Sequence, residues 1–186
     1  MSIQLFPDNT VLINFAYLHR MDLLRKLAKN PAWCATVAHE CNESSQEPDL
    51  EDLVEANDIF GEPLRPDSGA EHVAIQTYRT KIARPGDAPY KNYGEAETLA
   101  IIESRSMRGI FVTDDKGVAR AIQEQPDNGL QVSIVTTWEL LRVAARRGFV
   151  DRDTLWSYVH VLRNKGRHQP PCALNREAFE RWLDET

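Results

Sequence analysis

The stretch from Tyr93 to Ala119 constrains this chain most. Gly94-Glu95-Ala96-Glu97 opens an apolar helical run through Ile102, and Gly109-Ile110-Phe111-Val112-Thr113 then reads as a short buried strand ending on Asp114 and Asp115. A helix that feeds a parallel strand carries the chain back across a sheet. Glu95 at the helix start and the Asp pair at the strand end can therefore share one rim, where open α/β sheets place their sites. Carboxylates converging there repel one another, and a hard divalent cation with oxygen ligands is the usual relief.

Two earlier segments repeat the pattern. Residues 3–6 read as a strand, broken by Pro7, Asp8 and Asn9, which suit a turn and a helix cap. Apolar residues from Val11 to Ala28 recur at helical spacing, as two helices bent near Met21, and Asn30-Pro31 stops them. Trp33-Cys34-Ala35 predicts a second short strand, and Thr36 caps a helix carrying Val37, Glu40 and Cys41. An acid again sits one turn inside a helix that follows a strand.

The spacing further predicts helices over 50–60, 70–82, 118–123, 137–147, 154–164 and 176–184, with a late strand over 132–135 and a polar loop over 125–129. Alternating strands and helices imply an α/β protein with a small parallel sheet flanked by helices. The sheet strands are expected over 3–6, 33–35, 110–113 and 132–135.

At 186 residues the chain fits one ordinary domain, and its 42% apolar and 27% charged composition leaves little room for extensive disorder. No apolar run approaches the roughly 18 residues of a membrane span. The first residues lack the basic start and apolar core of a signal peptide, so a cytoplasmic location is expected. Cys34, Cys41 and Cys172 show no Cys-x-x-Cys spacing, which argues against a disulfide framework and a structural zinc site, and favours buried reduced thiols. The net charge of −6 gives no global pull toward nucleic acid, so local patches must supply any such affinity.

Each acid alone has a plain explanation, because acids at helix N-termini complement the dipole. Their conjunction says more. Phe6-Pro7-Asp8-Asn9-Thr10-Val11-Leu12, Val37-Ala38-His39-Glu40, Gly94-Glu95-Ala96-Glu97 and Val112-Thr113-Asp114-Asp115 resemble, in order, the four acidic motifs of PIN-domain nucleases. The likeness runs from about Ile3 to Val150, where 134–141 and 146–149 look like the family's last strand and helix. The resemblance implies a three-layer α/β/α fold over 1–150, PIN-like, while the helices expected within 151–186 read as a C-terminal helical extension packed on the same domain. It also implies Mg²⁺- or Mn²⁺-dependent cleavage of phosphodiester bonds, usually in RNA. Asp8, Glu40 and Glu95 match the first three acids, and Asp114 and Asp115 both match the fourth. Many relatives are VapC-like toxins, so the resemblance makes an antitoxin protein and a homodimer candidate partners beside the RNA substrate. The middle, 48–90, and the residues beyond 150 exceed those of compact VapC-like toxins.

The chemistry agrees with the resemblance. A carboxylate cluster holding one or two divalent ions lowers the pKa of a bound water and neutralises charge developing on phosphoryl oxygens, with no Ser-His-Asp or Cys-His nucleophile required. Glu97 lies roughly 200° from Glu95 around the helix, facing solvent or supporting the cluster from behind. Asn9 and Thr113 fall where the family lines its site with polar residues. Arg120, Arg142, Arg146 and Arg147 form the nearest basic set for a phosphate backbone. Arg163, Lys165, Arg167 and His168 form a second set that could also hold phosphates, though a solvated helix face suits it more than it suits the first. Trp138, Trp156, Tyr158 and Trp182 read as core or interface, and His39 as a helix-surface histidine.

Two enzymatic rivals fit less well. A response-regulator receiver would place its acid pair near the first strand and a Lys after the last; a haloacid-dehalogenase-like phosphatase would need an Asp where Thr10 stands. The rival of another class is a PIN-like domain that only binds or assembles with a partner.

Overall fold

Three parallel strands hold the molecule together. β1 (Gln4–Pro7) pairs with β2 (Arg108–Val112), setting Leu5 against Ile110 and Phe6 against Phe111. β2 pairs with β3 (Gln131–Val135), setting Phe111 against Ile134 and Val112 against Val135, so the spatial order is β1-β2-β3. The computed structural model describes residues 2–88, 91–123 and 130–185. The polar loop expected over 125–129 lies outside them.

Side chains alternate across the sheet, and each face builds its own core. Leu5, Ile110, Val112 and Val135 pack with α1 (Asn9–Tyr17), α2 (Met21–Leu27), α3 (Ala35–Ser44), α4 (Glu55–Phe60) and helices that follow β3. Phe6, Phe111, Val132 and Ile134 pack on the other face with α5 (Gly69–Ile82), α6 (Tyr93–Ser104) and α7 (Lys116–Gln123). The result is a small parallel sheet between helical layers.

The segment expected to form a strand over 33–35 makes only isolated bridges, Leu5 with Pro31 and Cys34 with Leu64. Its hydrogen bonds are divided. Leu5 N–H donates to Asn30 and Ala32 N–H to Leu5, after which Trp33 and Ala35 exchange bonds with Leu64 instead. Pro31 has no N–H to extend a ladder along β1, and the chain peels away toward the 61–69 connection. It still runs parallel to β1 and delivers α3 to the same rim.

The bend near Met21 is real. α1 ends at Tyr17, His19 takes a positive φ of 52°, and α2 begins at Met21. The helix expected over 50–60 is a 3-10 turn, Glu51–Val54, running into α4. α5 and α6 are tied by Arg105, which donates to Glu71 at 2.7 Å; Glu71 is almost fully buried.

After β3, α8 (Thr137–Arg146) starts with a capping box in which Thr136 and Glu139 satisfy each other's backbone N–H groups. α9 (Arg152–Asn164) and α10 (Arg176–Asp184) add Leu155, Val159, Leu162, Phe179 and Trp182 to the same core as α1 and α8. Trp138 and Phe179 meet edge to face at 6.1 Å, so the late aromatic residues are core. Cys34 and Cys41 are buried free thiols, whereas Cys172 is half-buried. Among the described residues no helix is long and apolar enough to cross a membrane.

Candidate functional site

The rim at the carboxyl ends of β1 and β2 is acidic. Asp8 follows β1 directly, and its N–H donates to Val112 O at 2.9 Å, so the pairing with β2 fixes its backbone. The side chain is 3% exposed. The Thr10 hydroxyl donates to its Oδ2, and the Thr113 hydroxyl donates to the same oxygen at 3.4 Å. Burial pushes the Asp8 carboxyl above its ordinary range; the Thr10 hydroxyl and the Asn9 N–H oppose this, and Asp114 adds to it.

Glu40 and Glu95 come to the same place from two helices. α3 and α6 approach closely at Gly94, where a Cβ would lie 3.0 Å from Val37 Cγ2 and 3.3 Å from Glu40 Oε2. The small residue lets the Glu40 carboxylate settle over the first turn of α6, beside Glu95. Burial raises Glu40 to about 7, with further increments from Asp8, Glu43 and Glu97. Burial and then Asp8 raise Glu95 to about 8, with smaller contributions from Glu40 and Asp115. No Lys or Arg forms an ion pair with either among the described residues. Glu97 turns away from solvent: it is 3% exposed and accepts the Thr36 N–H at 2.8 Å, tying α6 to the start of α3.

Asp114 and Asp115 divide their work. Asp114 Oδ1 accepts the Thr137 N–H at 2.9 Å, while Oδ2 accepts the Thr137 hydroxyl at 2.8 Å and the Asn14 amide at 2.9 Å. It clamps the first turn of α8. Asp115 Oδ1 accepts the Gly117 N–H at 2.5 Å at the start of α7 and stands 3.6 Å from Arg84. The Thr113 hydroxyl joins the pair to Asp8, because it also accepts the Asp115 N–H at 3.1 Å.

Asn14 and Thr137 are fully buried and escaped the sequence reading. A polar residue inside the apolar run 11–16 was the available signal for Asn14. Arg167 is also brought here: its Nε donates to Asn14 Oδ1 at 2.7 Å and its Nη2 to Thr10 O at 2.9 Å. Nothing local in the sequence connects positions 14 and 167.

The other expected site residues are placed as follows. Asn9 donates to Ser44 Oγ at 3.1 Å, and its Oδ1 is enclosed with no hydrogen-bond partner. Arg142 and Arg146 donate to Trp182 O and Leu183 O, each at 3.2 Å, so these guanidinium groups serve the contact of α8 with α10 and not the acidic rim. Arg120 is exposed on α7. His39 is exposed and lies 3.4 Å from Glu43. A groove lined by Ile3, Arg108, Ile110, Leu130, Val132 and Val135 runs along β2 and β3 and contains no acid among the described residues.

The donors suit a hard cation by type: carboxylates that raise one another's pKa, and the orphaned oxygen of Asn9. Among the described residues no group of three or more acids, histidines or cysteines is already arranged to hold a metal ion. Comparison of the chain with protein-family profiles, with curated proteins and with solved structures finds no match in any of the three.

Proposed function

We propose that this chain is a PIN-like, divalent-metal-dependent endoribonuclease that hydrolyses phosphodiester bonds of RNA. The observation that carries the reading is the convergence of Asp8, Glu40 and Glu95 on one rim where, among the described residues, neither glutamate has an ion pair, so that burial and the neighbouring acids raise Glu40 to about 7 and Glu95 to about 8. Structural carboxylates are normally paired with a cation or hydrogen-bonded, as Glu71 is with Arg105. Asp8, Glu40, Glu95 and Asp115 would hold Mg²⁺ or Mn²⁺, with Asp114 orienting the cluster from behind. A bound ion supplies a water of lowered pKa and neutralises charge on the phosphoryl oxygens. Thr10 and Thr113 orient the Asp8 carboxylate, and Asn9, the next residue, offers a buried, unpartnered amide oxygen. Arg84, exposed and 3.6 Å from Asp115, and Arg120, exposed on α7, would attract an RNA backbone.

Incubating the purified chain with single-stranded and structured RNA tests the proposal. Cleavage is expected with Mg²⁺ or Mn²⁺, abolished by chelation and by Asp8→Asn. Retention of cleavage in Asp8→Asn would overturn it. If the chain is the toxin of a toxin-antitoxin pair, an antitoxin protein should co-purify with it, and light scattering tests for a homodimer.

One observation favours a second reading, a PIN-like module that binds a partner without catalysis. Asp114 and Asp115 are both engaged in starting helices, as in a purely structural rim. Absence of Mn²⁺ binding by the isolated chain would select that reading.

A further inference from the structure

We propose that Arg167, carried by the loop after α9, is a positioning residue for the acidic rim: its guanidinium fixes the Asn14 amide, and Asn14 fixes Asp114. Asn14 is fully buried on α1, and an Asn side chain offers two ends of nearly the same shape, a carbonyl oxygen and an NH₂. Packing alone does not choose between them. Arg167 and Asp114 do so together: a guanidinium has donors only, so the end of Asn14 that faces it at 2.7 Å must be the oxygen, and the carboxylate opposite accepts from the NH₂ end. The NH₂ then points at Asp114 Oδ2, 2.9 Å away, and at the Thr137 hydroxyl, 3.0 Å away. The flipped amide would set an oxygen against the Asp114 carboxylate and an NH₂ against a cation. A second bond from Arg167, to Thr10 O, steadies the residue whose hydroxyl orients Asp8.

The loop is built to present this side chain. Gly166 adopts a φ of 66° that reverses the chain, and the Arg167 N–H returns to Leu162 O at 2.8 Å to close the end of α9. The next residue is pinned by the Trp138 indole, which donates to His168 O at 2.8 Å. The C-terminal helices thus complete the rim as well as cover the core, and 1–150 alone lacks one of its supports.

The catalytic arm of the test rests on the ribonuclease reading, while a second arm does not. In the metal-free full-length chain, NMR reports the Asn14 side-chain amide and the exchange protection of the Thr137 N–H, which donates to Asp114. Arg167→Met should shift the Asn14 amide signals and lower Thr137 protection about tenfold or more. Arg167→Lys, which keeps a charged donor, should restore part of both and covers the case in which Arg167→Met does not fold. Lys165→Ala removes a neighbouring tie of the same loop, to Asp49 at 2.8 Å, and should leave both signals unchanged. In RNA cleavage with Mn²⁺, Arg167→Met should lower kcat by about tenfold or more, with KM within about twofold. Unchanged Asn14 and Thr137 signals in Arg167→Met, or an equal loss in Lys165→Ala, would overturn the proposal. A raised KM with a shallower salt dependence would also overturn it, in favour of a direct phosphate contact. If the wild-type chain does not cleave RNA, the ribonuclease reading fails, and the NMR arm still decides the role of Arg167.

Discussion

Glu97 accepts the backbone N–H of Thr36 at 2.8 Å from a position 3% exposed to solvent, so a carboxylate on α6 caps the first turn of α3. That bond sets how α3 and α6 lie against each other, and hence where Glu40 and Glu95 meet. It also gives Glu97 a role different from those two acids. Glu97→Gln keeps a carbonyl acceptor and should fold with nearly wild-type stability and bind Mn²⁺ normally. Glu97→Ala leaves the Thr36 N–H unsatisfied and should cost about 1–3 kcal/mol in denaturant melts. Loss of Mn²⁺ binding in Glu97→Gln would instead make this residue a ligand.

The two aspartates after β2 are expected to separate on mutation. Asp114 receives three hydrogen bonds, from Asn14 and Thr137, so Asp114→Ala should lower stability by about 2 kcal/mol or more as the start of α8 loses its clamp. Asp115→Asn should be nearly neutral in stability, because Asn can accept the Gly117 N–H, and should still weaken Mn²⁺ binding. Calorimetric titration of Mn²⁺ into both variants, beside their melting curves, checks the division. The reverse pattern, with binding lost only in Asp114→Asn, would make Asp114 the fourth ligand.

The pH dependence of the metal-free chain follows from shifts of opposite sign. Glu40 and Glu95 are raised from 4.5 to about 7 and about 8, so each binds its proton more tightly in the folded state. Their contribution is fully present below 4.5 and is lost as pH rises through 7 and 8. Glu71 is lowered to about 2 by Arg105; its contribution is present above 4.5 and is lost as pH falls toward 2. Melting temperature without metal should therefore decline from pH 5 to pH 9. Excess Mn²⁺ should reverse the trend above pH 7, because the ion competes with protons for the two glutamates. Melts at fixed ionic strength across that range, with and without Mn²⁺, test this; identical profiles would contradict it.

The sequence is most legible where local signals and tertiary needs coincide. The apolar run through Ile102 and the β-branched run before Asp114 announce α6 and β2, and the parallel register then brings Glu95 to the rim with Asp8. The expected strand at Trp33 fails because Pro31 cannot donate and Leu64, thirty residues on, competes for Trp33 and Ala35. Leu64 carries no signal that it will do so. Arg142 and Arg146 look like substrate contacts because composition shows a basic helix face but not the carbonyl oxygens of α10 that occupy it. Asn14 is visible as a polar residue among apolar ones, yet its partners, Asp114, Thr137 and Arg167, are separated from it by the whole domain. Contacts of that range are set by packing, and local pattern does not encode them.

Asp8→Asn gives the most direct test of the acidic rim. Asp8 is 3% exposed and takes hydrogen bonds from Thr10 and Thr113, both of which an Asn carbonyl oxygen can accept. The substitution removes a buried charge that raises Glu40 and Glu95 and leaves the shape almost unchanged. Without metal, Asp8→Asn should therefore melt at the wild-type temperature or above it. A ligand that binds only the native state raises its apparent stability in proportion to its affinity, so Mn²⁺ should raise the melting temperature of the wild type and lose most of that effect in Asp8→Asn. If Asp8 served only to begin α1, Asn would do so nearly as well, and Mn²⁺ would act on neither protein. Four melting curves, wild type and variant with and without Mn²⁺, distinguish the cases, and an equal Mn²⁺ response in both proteins would remove Asp8 from the metal site.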